Sequence, residues 1–139
     1  MIVYFDTSAI VPIVIEEPSS PNASRLWDQA DRLVSSRLVF AEARAALAMA
    51  RRLDRLSDAE LRTAVQDLES LHQQLDIVEV TDSLVRDAGS LAEELALRGY
   101  DAVHLASAKL VHDSDMVFAA GDQALLNAAQ AIGIATAKL

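Results

Sequence analysis

The sequence predicts an α/β fold, a three-layer α/β/α sandwich around a central, mainly parallel sheet of four to five strands. Short apolar runs alternate along the chain with amphipathic helical segments, which is the order that right-handed crossovers between parallel strands require. Apolar residues make up 52% of the chain and aromatic residues only 4%, so alanine and leucine build a core of closely packed helices. At 139 residues the chain has the size of one domain, and we expect residues 1–139 to form it.

The first third of the chain predicts two strands and two helices. Ile2–Phe5 is wholly apolar, as expected of a parallel strand covered on both faces. A short helix is expected at about Ala9–Ile15, and an amphipathic helix at Ala23–Ala30 after the Pro/Ser-rich loop Glu17–Asn22. Leu33–Ser36 is expected to form the second strand.

The middle third predicts two further helices and a strand. Phe40–Asp54 is expected to be helical. Ser57 and Glu60 have the spacing of a capping box, which predicts a helix running to about Leu75. Asp76–Val80 is expected to be a strand.

The last third continues the alternation of helices and strands. Thr81 or Asp82 is expected to cap a helix that ends at Gly99, since glycine is a common stop signal. The remaining expected elements are helix Asp101–Val111, strand Met116–Ala120, helix Asp122–Ala131 and strand Ile134–Thr136.

Composition excludes several classes of protein and site. The chain has no cysteine, which rules out disulfides and thiolate metal sites, and its three histidines are too scattered for a histidine-rich zinc site. No apolar run approaches the roughly 20 residues that span a membrane, and the first residues lack the basic start of a secretory signal. We therefore expect a cytoplasmic protein. The net charge of −9 has the wrong sign for a protein that binds long RNA through its overall electrostatic field.

Three acidic residues fall where parallel sheets form their sites, at the junctions of strand ends and helix starts. Asp6 follows the first strand directly, Asp122 follows the Met116–Ala120 strand by two residues, and Asp101 is expected to begin a helix. Helix capping alone could explain each of these three aspartates.

A cap cannot explain Glu42. At 100° per residue from Leu38, Glu42 lies at about 40°, between Leu38 and Met49 on one side and Leu53 on the other. A carboxylate on an apolar stripe costs several kcal/mol unless it is paired, protonated or bound to a cation. An arginine or a backbone donor could satisfy it, but hard divalent cations, which prefer carboxylate oxygens, explain all four acids together. Such ions activate water for phosphodiester hydrolysis.

Four segments carry a resemblance to a known family. Ile2–Ala9, Phe40–Arg44, Tyr100–Ala106 and Gly121–Leu126 resemble, in order and approximate spacing, the motifs of PIN-domain nucleases, and most of all those of VapC-type toxins of toxin–antitoxin pairs. The resemblance covers essentially the whole chain. It implies Mg²⁺ or Mn²⁺ bound by the acids, endonucleolytic cleavage of RNA, a homodimer, and a cognate antitoxin that occupies the active-site groove. The acidic surface suits an antitoxin with a basic segment.

The resemblance also implies roles for individual residues. Asp6 and Asp101 are expected to hold the principal ion, with Glu42 and Asp122 bound directly or through water, so that a metal-activated water hydrolyses the RNA phosphodiester. Supporting or substrate-contacting roles are expected for Thr7, Ser8, Arg44, His104 and Lys109. Arg44 and Lys109 read equally well as solvated surface charges, and His104 as a core histidine.

One departure from the family pattern keeps an alternative open. Many relatives carry Thr or Ser two residues before the last acid, where this chain has Ala120. Together with the charge, this allows a catalytically weak or inactive PIN-like module that binds RNA or protein. An aspartyl-phosphate phosphatase would need an Asp where Ser8 stands, and a receiver domain would need a lysine earlier than Lys138, so both are disfavoured.

Overall fold

The central sheet has five strands, all parallel, in the order β3-β2-β1-β4-β5. The structure of the protein is a computed structural model that describes residues 1–139. The first strand is central and wholly apolar, and its neighbours pair with it in register, Val3 against Leu33 on one side and Val117 on the other. The strands are β1 (Ile2–Phe5), β2 (Arg32–Ser36), β3 (Asp76–Val78), β4 (Met116–Ala120) and β5 (Ala135–Lys138).

Seven helices cover the two faces of this sheet. They are α1 (Thr7–Val14), α2 (Ser20–Gln29), α3 (Val39–Arg52), α4 (Asp58–His72), α5 (Asp82–Leu95), α6 (Gly99–Leu110) and α7 (Gln123–Ala131). None of them is both long and apolar enough to cross a membrane.

Alternation along β1 divides the core into two layers. Tyr4 faces helices α5, α6 and α7, where Leu105 and Leu125 are fully buried with it. Val3 and Phe5 face α1, α3 and α4 on the other side of the sheet. This arrangement confirms the predicted α/β/α sandwich.

Several element boundaries differ from those that the sequence predicts. The expected stop at Gly99 is wrong: α5 ends at Leu95, and Ala96 takes the left-handed conformation that closes the helix, at φ 53°. Gly99 instead begins α6, so the expected helix start at Asp101 is wrong by two residues. α2 begins earlier than expected, at Ser20, because a proline is tolerated in the first turn, where its missing N–H costs nothing.

The remaining differences are shifts at element ends. The fourth helix stops at His72 rather than near Leu75, while its predicted capping box between Ser57 and Glu60 is confirmed. The third strand ends at Val78 rather than at Val80, and the last strand begins one residue and ends two residues later than expected, at Ala135–Lys138. Thr81 caps α5, which settles the choice between Thr81 and Asp82.

A candidate active site at the carboxyl edge of the sheet

Asp6 lies where β1 passes into α1, and it is almost fully buried. One of its oxygens, Oδ2, caps the helix by accepting the backbone N–H of Ser8 at 3.1 Å and also accepts the Ser8 hydroxyl at 2.6 Å. The other oxygen, Oδ1, lies 3.8 Å from Nε2 of His104. The cap therefore uses only half of the carboxylate, and the second oxygen faces the other site residues.

Asp122 repeats this arrangement where β4 passes into α7. Its Oδ1 accepts the backbone N–H groups of Ala124 and Leu125 at 2.8 and 3.3 Å. Its Oδ2 lies 4.0 Å from a guanidinium nitrogen of Arg98. Capping and a further role are thus compatible at both aspartates.

Asp101 does not cap a helix. It is the third residue of α6, and the residue at the cap position, Arg98, makes no side-chain cap bond. The Asp101 carboxylate accepts a hydrogen bond from Nε of Arg98 at 3.1 Å, and its side chain is 19% exposed. The interpretation of this residue as a cap is therefore wrong.

Glu42 lies in the first turn of α3, half-buried, with its carboxylate directed at α1 and α6. Its Oε1 accepts the Thr7 hydroxyl at 2.9 Å and Nε2 of His104 at 2.6 Å. The expected apolar stripe beside Glu42 is wrong, because Met49 and Leu53 are 54% and 65% exposed. The buried face of α3 is a neighbouring one, formed by Val39, Ala43, Leu47 and Ala50.

The four acids thus share one location in the fold. Asp6 and Asp122 cap their helices, and Glu42 and Asp101 lie in first turns, where the helix dipole favours negative charge. Three of these helices are entered at the carboxyl end of the sheet, and α6 reaches the same edge through the contact of His104 with Glu42.

His104 is fully buried and connects three of the site's elements. Because a carboxylate can only accept, Nε2 carries the proton of the bond to Glu42. The opposite ring nitrogen, Nδ1, lies 3.0 Å from the hydroxyl of Tyr4, which is itself fully buried on β1. Tyr4, His104 and Glu42 therefore form a continuous polar chain from the sheet to the site.

The pairing of His104 with Glu42 changes the pKa of both groups. Burial is the largest single influence on Glu42 and acts to raise its pKa, but the hydrogen bonds from His104 and Thr7 and nearby positive charge bring the pKa below its ordinary value. Burial acts to lower the pKa of His104, but the bond to Glu42 and the charges of Asp6, Glu42 and Asp101 together raise it. Both shifts favour an ion pair.

The Ser8 hydroxyl joins the first and last motifs. It donates to Asp6 and accepts the backbone N–H of Gly121 at 2.9 Å. Gly121 directly follows Ala120, the last residue of β4. Ser8 lies in α1, the helix that follows the neighbouring strand β1, and thus places a hydroxyl at this end of β4.

Two of the residues considered for phosphate contacts lie outside this cluster. The guanidinium of Arg44 stacks over the ring of Phe40 at 5.8 Å. Lys109, in the last turn of α6, pairs with Asp87 of α5 at 3.1 Å.

Two residues of the site, Arg98 and Tyr4, were not predicted from the sequence. The available signal for Arg98 was its position three residues before Asp101, on the same side of a helical turn.

The donor set suits a hard divalent cation, although no three acidic or histidine side chains surround a single point in the way a metal site requires. The donors are four carboxylates with hydroxyls beside them, the oxygen ligands that Mg²⁺ and Mn²⁺ take. Basic side chains already lie against the cluster, since Arg98 contacts Asp101 and His104 contacts Glu42. In chemical type, the residues fit such an ion.

Comparison with known proteins gives a consistent result. The PIN domain family matches residues 3–130. Ribonuclease VapC45 of Mycobacterium tuberculosis (strain CDC 1551 / Oshkosh) is 46% identical over 132 residues, which are 95% of this chain and 92% of that protein.

Solved structures share the fold at low sequence identity. PAE2754 from Pyrobaculum aerophilum superposes with a TM-score of 0.72 at 20% identity, covering 96% of this chain and 87% of the other. VapC20 of Mycobacterium tuberculosis, described as a sarcin-ricin loop cleaving toxin, gives 0.67 at 18% identity and 99% coverage of both chains. A toxin-antitoxin complex from Klebsiella pneumoniae gives 0.63 at 15% identity and 89% coverage of both chains.

Proposed function

Because this chain belongs to the PIN domain family, we propose that it is a divalent-metal-dependent endoribonuclease and the toxin of a toxin–antitoxin pair. The observation that carries the proposal is the convergence of Asp6, Glu42, Asp101 and Asp122 at the amino-terminal ends of four helices. The relative that is 46% identical is named a ribonuclease, which supports the nuclease activity. We propose that residues 1–139 act as one domain in this role.

In the proposed site, the four carboxylates would hold Mg²⁺ or Mn²⁺. When bound, such an ion would supply the Lewis-acid activation that phosphodiester hydrolysis by water needs. The protein's part is to orient individual carboxylates. Ser8 fixes Asp6, and Thr7 with His104 fixes Glu42, so these carboxylates lose little freedom on binding a cation.

Arg98 and the exposed surface around the site would contact the RNA. Substrate phosphates need positive charge near the metal, and Arg98 is the one exposed cation that contacts the acids, with its side chain 82% exposed. Arg44 and Lys109 stay candidates for contacts farther along the RNA, since both lie at the surface.

We propose that the partner is an antitoxin with a basic segment. The neighbouring structures support such a partner, since one of them is a toxin-antitoxin complex. The net charge of −9 and the carboxylate cluster favour an Arg- or Lys-bearing segment over an acidic one. We also propose that the chain forms a homodimer, which sedimentation of the isolated protein tests.

The direct test of the function is RNA cleavage by the purified chain with Mg²⁺, with Mn²⁺ and with EDTA. We expect cleavage with either ion and none with EDTA, and products that end in a 5′-phosphate and a 3′-hydroxyl. Binding of RNA without turnover under all three conditions would instead support the inactive module, the alternative that Ala120 raises. Structured RNA, including a sarcin-ricin stem-loop, makes a suitable substrate panel because one relative in the family is described as cleaving it.

A further inference from the structure

We propose that Arg98 is a built-in counter-ion of the acidic cluster, which a divalent cation has to displace in order to bind. The inference rests on the proposed function, since it presumes that the carboxylates take up a metal. Arg98 would then regulate how readily the site takes up a metal, from a position at the entrance of the site.

The contacts of Arg98 span two of the four acids. Its Nε donates to Oδ2 of Asp101 at 3.1 Å, and a terminal guanidinium nitrogen lies 4.0 Å from Oδ2 of Asp122. These are oxygens that the helix caps leave free, since Asp122 uses Oδ1 for capping and Asp101 caps nothing. The guanidinium thus binds the oxygens that a metal would need.

No other lysine or arginine forms an ion pair with the four acids. The other basic side chains near this edge of the sheet have different partners: Arg37 pairs with Glu79, and Lys138 donates to Gln123 at 3.0 Å. The only other basic side chain at the cluster is His104, which is buried and bound to Glu42 and Tyr4. Arg98 is therefore the one cation that can leave without disturbing the core.

The position of Arg98 makes it easy to displace. Its side chain is 82% exposed and held by a single hydrogen bond, and exposed ion pairs of this kind are weak because water screens the charges. A divalent ion carries twice the charge of the guanidinium, so it replaces Arg98 at sufficient concentration. Arg98 still weakens metal binding. Its ion pair with Asp101 has to be broken, and the guanidinium repels the divalent cation while the two are close together.

The test compares Mn²⁺ affinity in the wild-type chain and in Arg98→Gln by calorimetric titration, with no RNA present. We expect Arg98→Gln to bind Mn²⁺ about two- to fivefold more tightly, the factor that corresponds to an exposed ion pair. Arg98→Lys, which keeps the charge, should stay within about twofold of the wild type. Arg86→Gln is the matched control: Arg86 is equally exposed and pairs with Asp82 at 2.9 Å, and its removal should leave the affinity unchanged.

A second measurement reads the counter-ion role without metal. In EDTA, Arg98→Gln should melt about 1–3 °C below the wild type, because four carboxylates then lose their exposed cation, and saturating Mn²⁺ should remove this difference. Unchanged or weaker Mn²⁺ binding by Arg98→Gln would overturn the inference and leave the proposed function standing. A wild-type chain that binds no Mn²⁺ and cleaves no RNA would overturn the proposed function, and the inference with it.

Discussion

Nε2 of His104 lies 2.6 Å from Oε1 of Glu42, a contact that ties α6 to α3 at the carboxyl edge of the sheet. The imidazole is fully buried and the carboxylate is half-buried, so the bond orients a carboxylate of the site from inside the protein. Tyr4 holds the other ring nitrogen, which makes the central strand part of the same chain of contacts.

Removing the Tyr4 hydroxyl should therefore destabilise the protein. In Tyr4→Phe the buried Nδ1 of His104 loses its partner, and an unsatisfied buried polar atom costs about 1–3 kcal/mol. We expect urea unfolding to show a loss in this range. Tyr4 also stacks on Phe118 at 5.3 Å, a packing contact that Phe preserves, so a far larger loss or an unfolded variant would contradict this account.

The metal-free protein should lose stability as the pH rises above 6.5. The pKa of His104 is raised above 6.5 in the folded chain, so its stabilising charge is fully present below pH 6.5 and is lost as the pH rises through the raised pKa. At the acid end, the pKa of Glu42 is lowered from 4.5, so its contribution is present above pH 4.5 and is lost as the pH falls through the lowered pKa.

Urea unfolding in EDTA across this pH range measures the effect. Glu42→Gln removes the partner that raises the pKa of His104, so the loss above pH 6.5 should shrink in this variant. A wild-type stability that increases through the same interval would contradict the assignment of His104 and Glu42 as an ion pair.

Ser8→Ala should weaken the site more than the fold. The hydroxyl donates to Asp6 and accepts from Gly121, and losing one such bond costs about 0.5–1.5 kcal/mol in stability. Because Asp6 loses a donor that fixes its orientation, we expect RNA cleavage to fall by about three- to tenfold. Ser8→Thr keeps the hydroxyl and should recover most of the activity; equal activity in the Ala and Thr variants would exclude a positioning role.

Ser57→Ala should do the opposite and weaken the fold without changing the site. Ser57 forms the capping box of α4 with Glu60, and losing a serine cap costs about 0.5–2 kcal/mol. Neither residue contacts the four acids, so RNA cleavage below the melting transition should equal that of the wild type. Reduced cleavage under those conditions would show that global stability, rather than site geometry, controls activity in such variants.

Much of the fold could be predicted from local patterns. The wholly apolar Ile2–Phe5 and the capping box at Ser57 have direct local causes, and both are confirmed. The end of α5 could not be predicted in this way, because Ala96 adopts the left-handed conformation that the glycine rule assigns to Gly99. Gly99 lies instead in the first turn of α6.

The site was harder to predict than the fold. The strand–acid junctions at Asp6 and Asp122 point to one edge of the sheet, because parallel strands bring their carboxyl ends together. Which groups pair within the cluster depends on side-chain distances between segments far apart in sequence. The bonds of His104 to Glu42 and of Ser8 to Gly121 span 62 and 113 residues, and no local pattern encodes either.

The central claim is that carboxylates at this edge carry metal-dependent RNA cleavage, and Asp6→Asn tests it most directly. Asparagine can still cap α1, so the variant should fold and melt like the wild type. Asp113→Asn is the matched control, since Asp113 lies just before β4, at the opposite edge of the sheet.

The measurement is the Mn²⁺-dependent rate of RNA cleavage by the wild type and the two variants. We predict a loss of at least about 100-fold in Asp6→Asn, because a carboxylate ligand and its charge are removed, and a wild-type rate in Asp113→Asn. A folded Asp6→Asn protein that cleaves RNA at the wild-type rate would contradict the account.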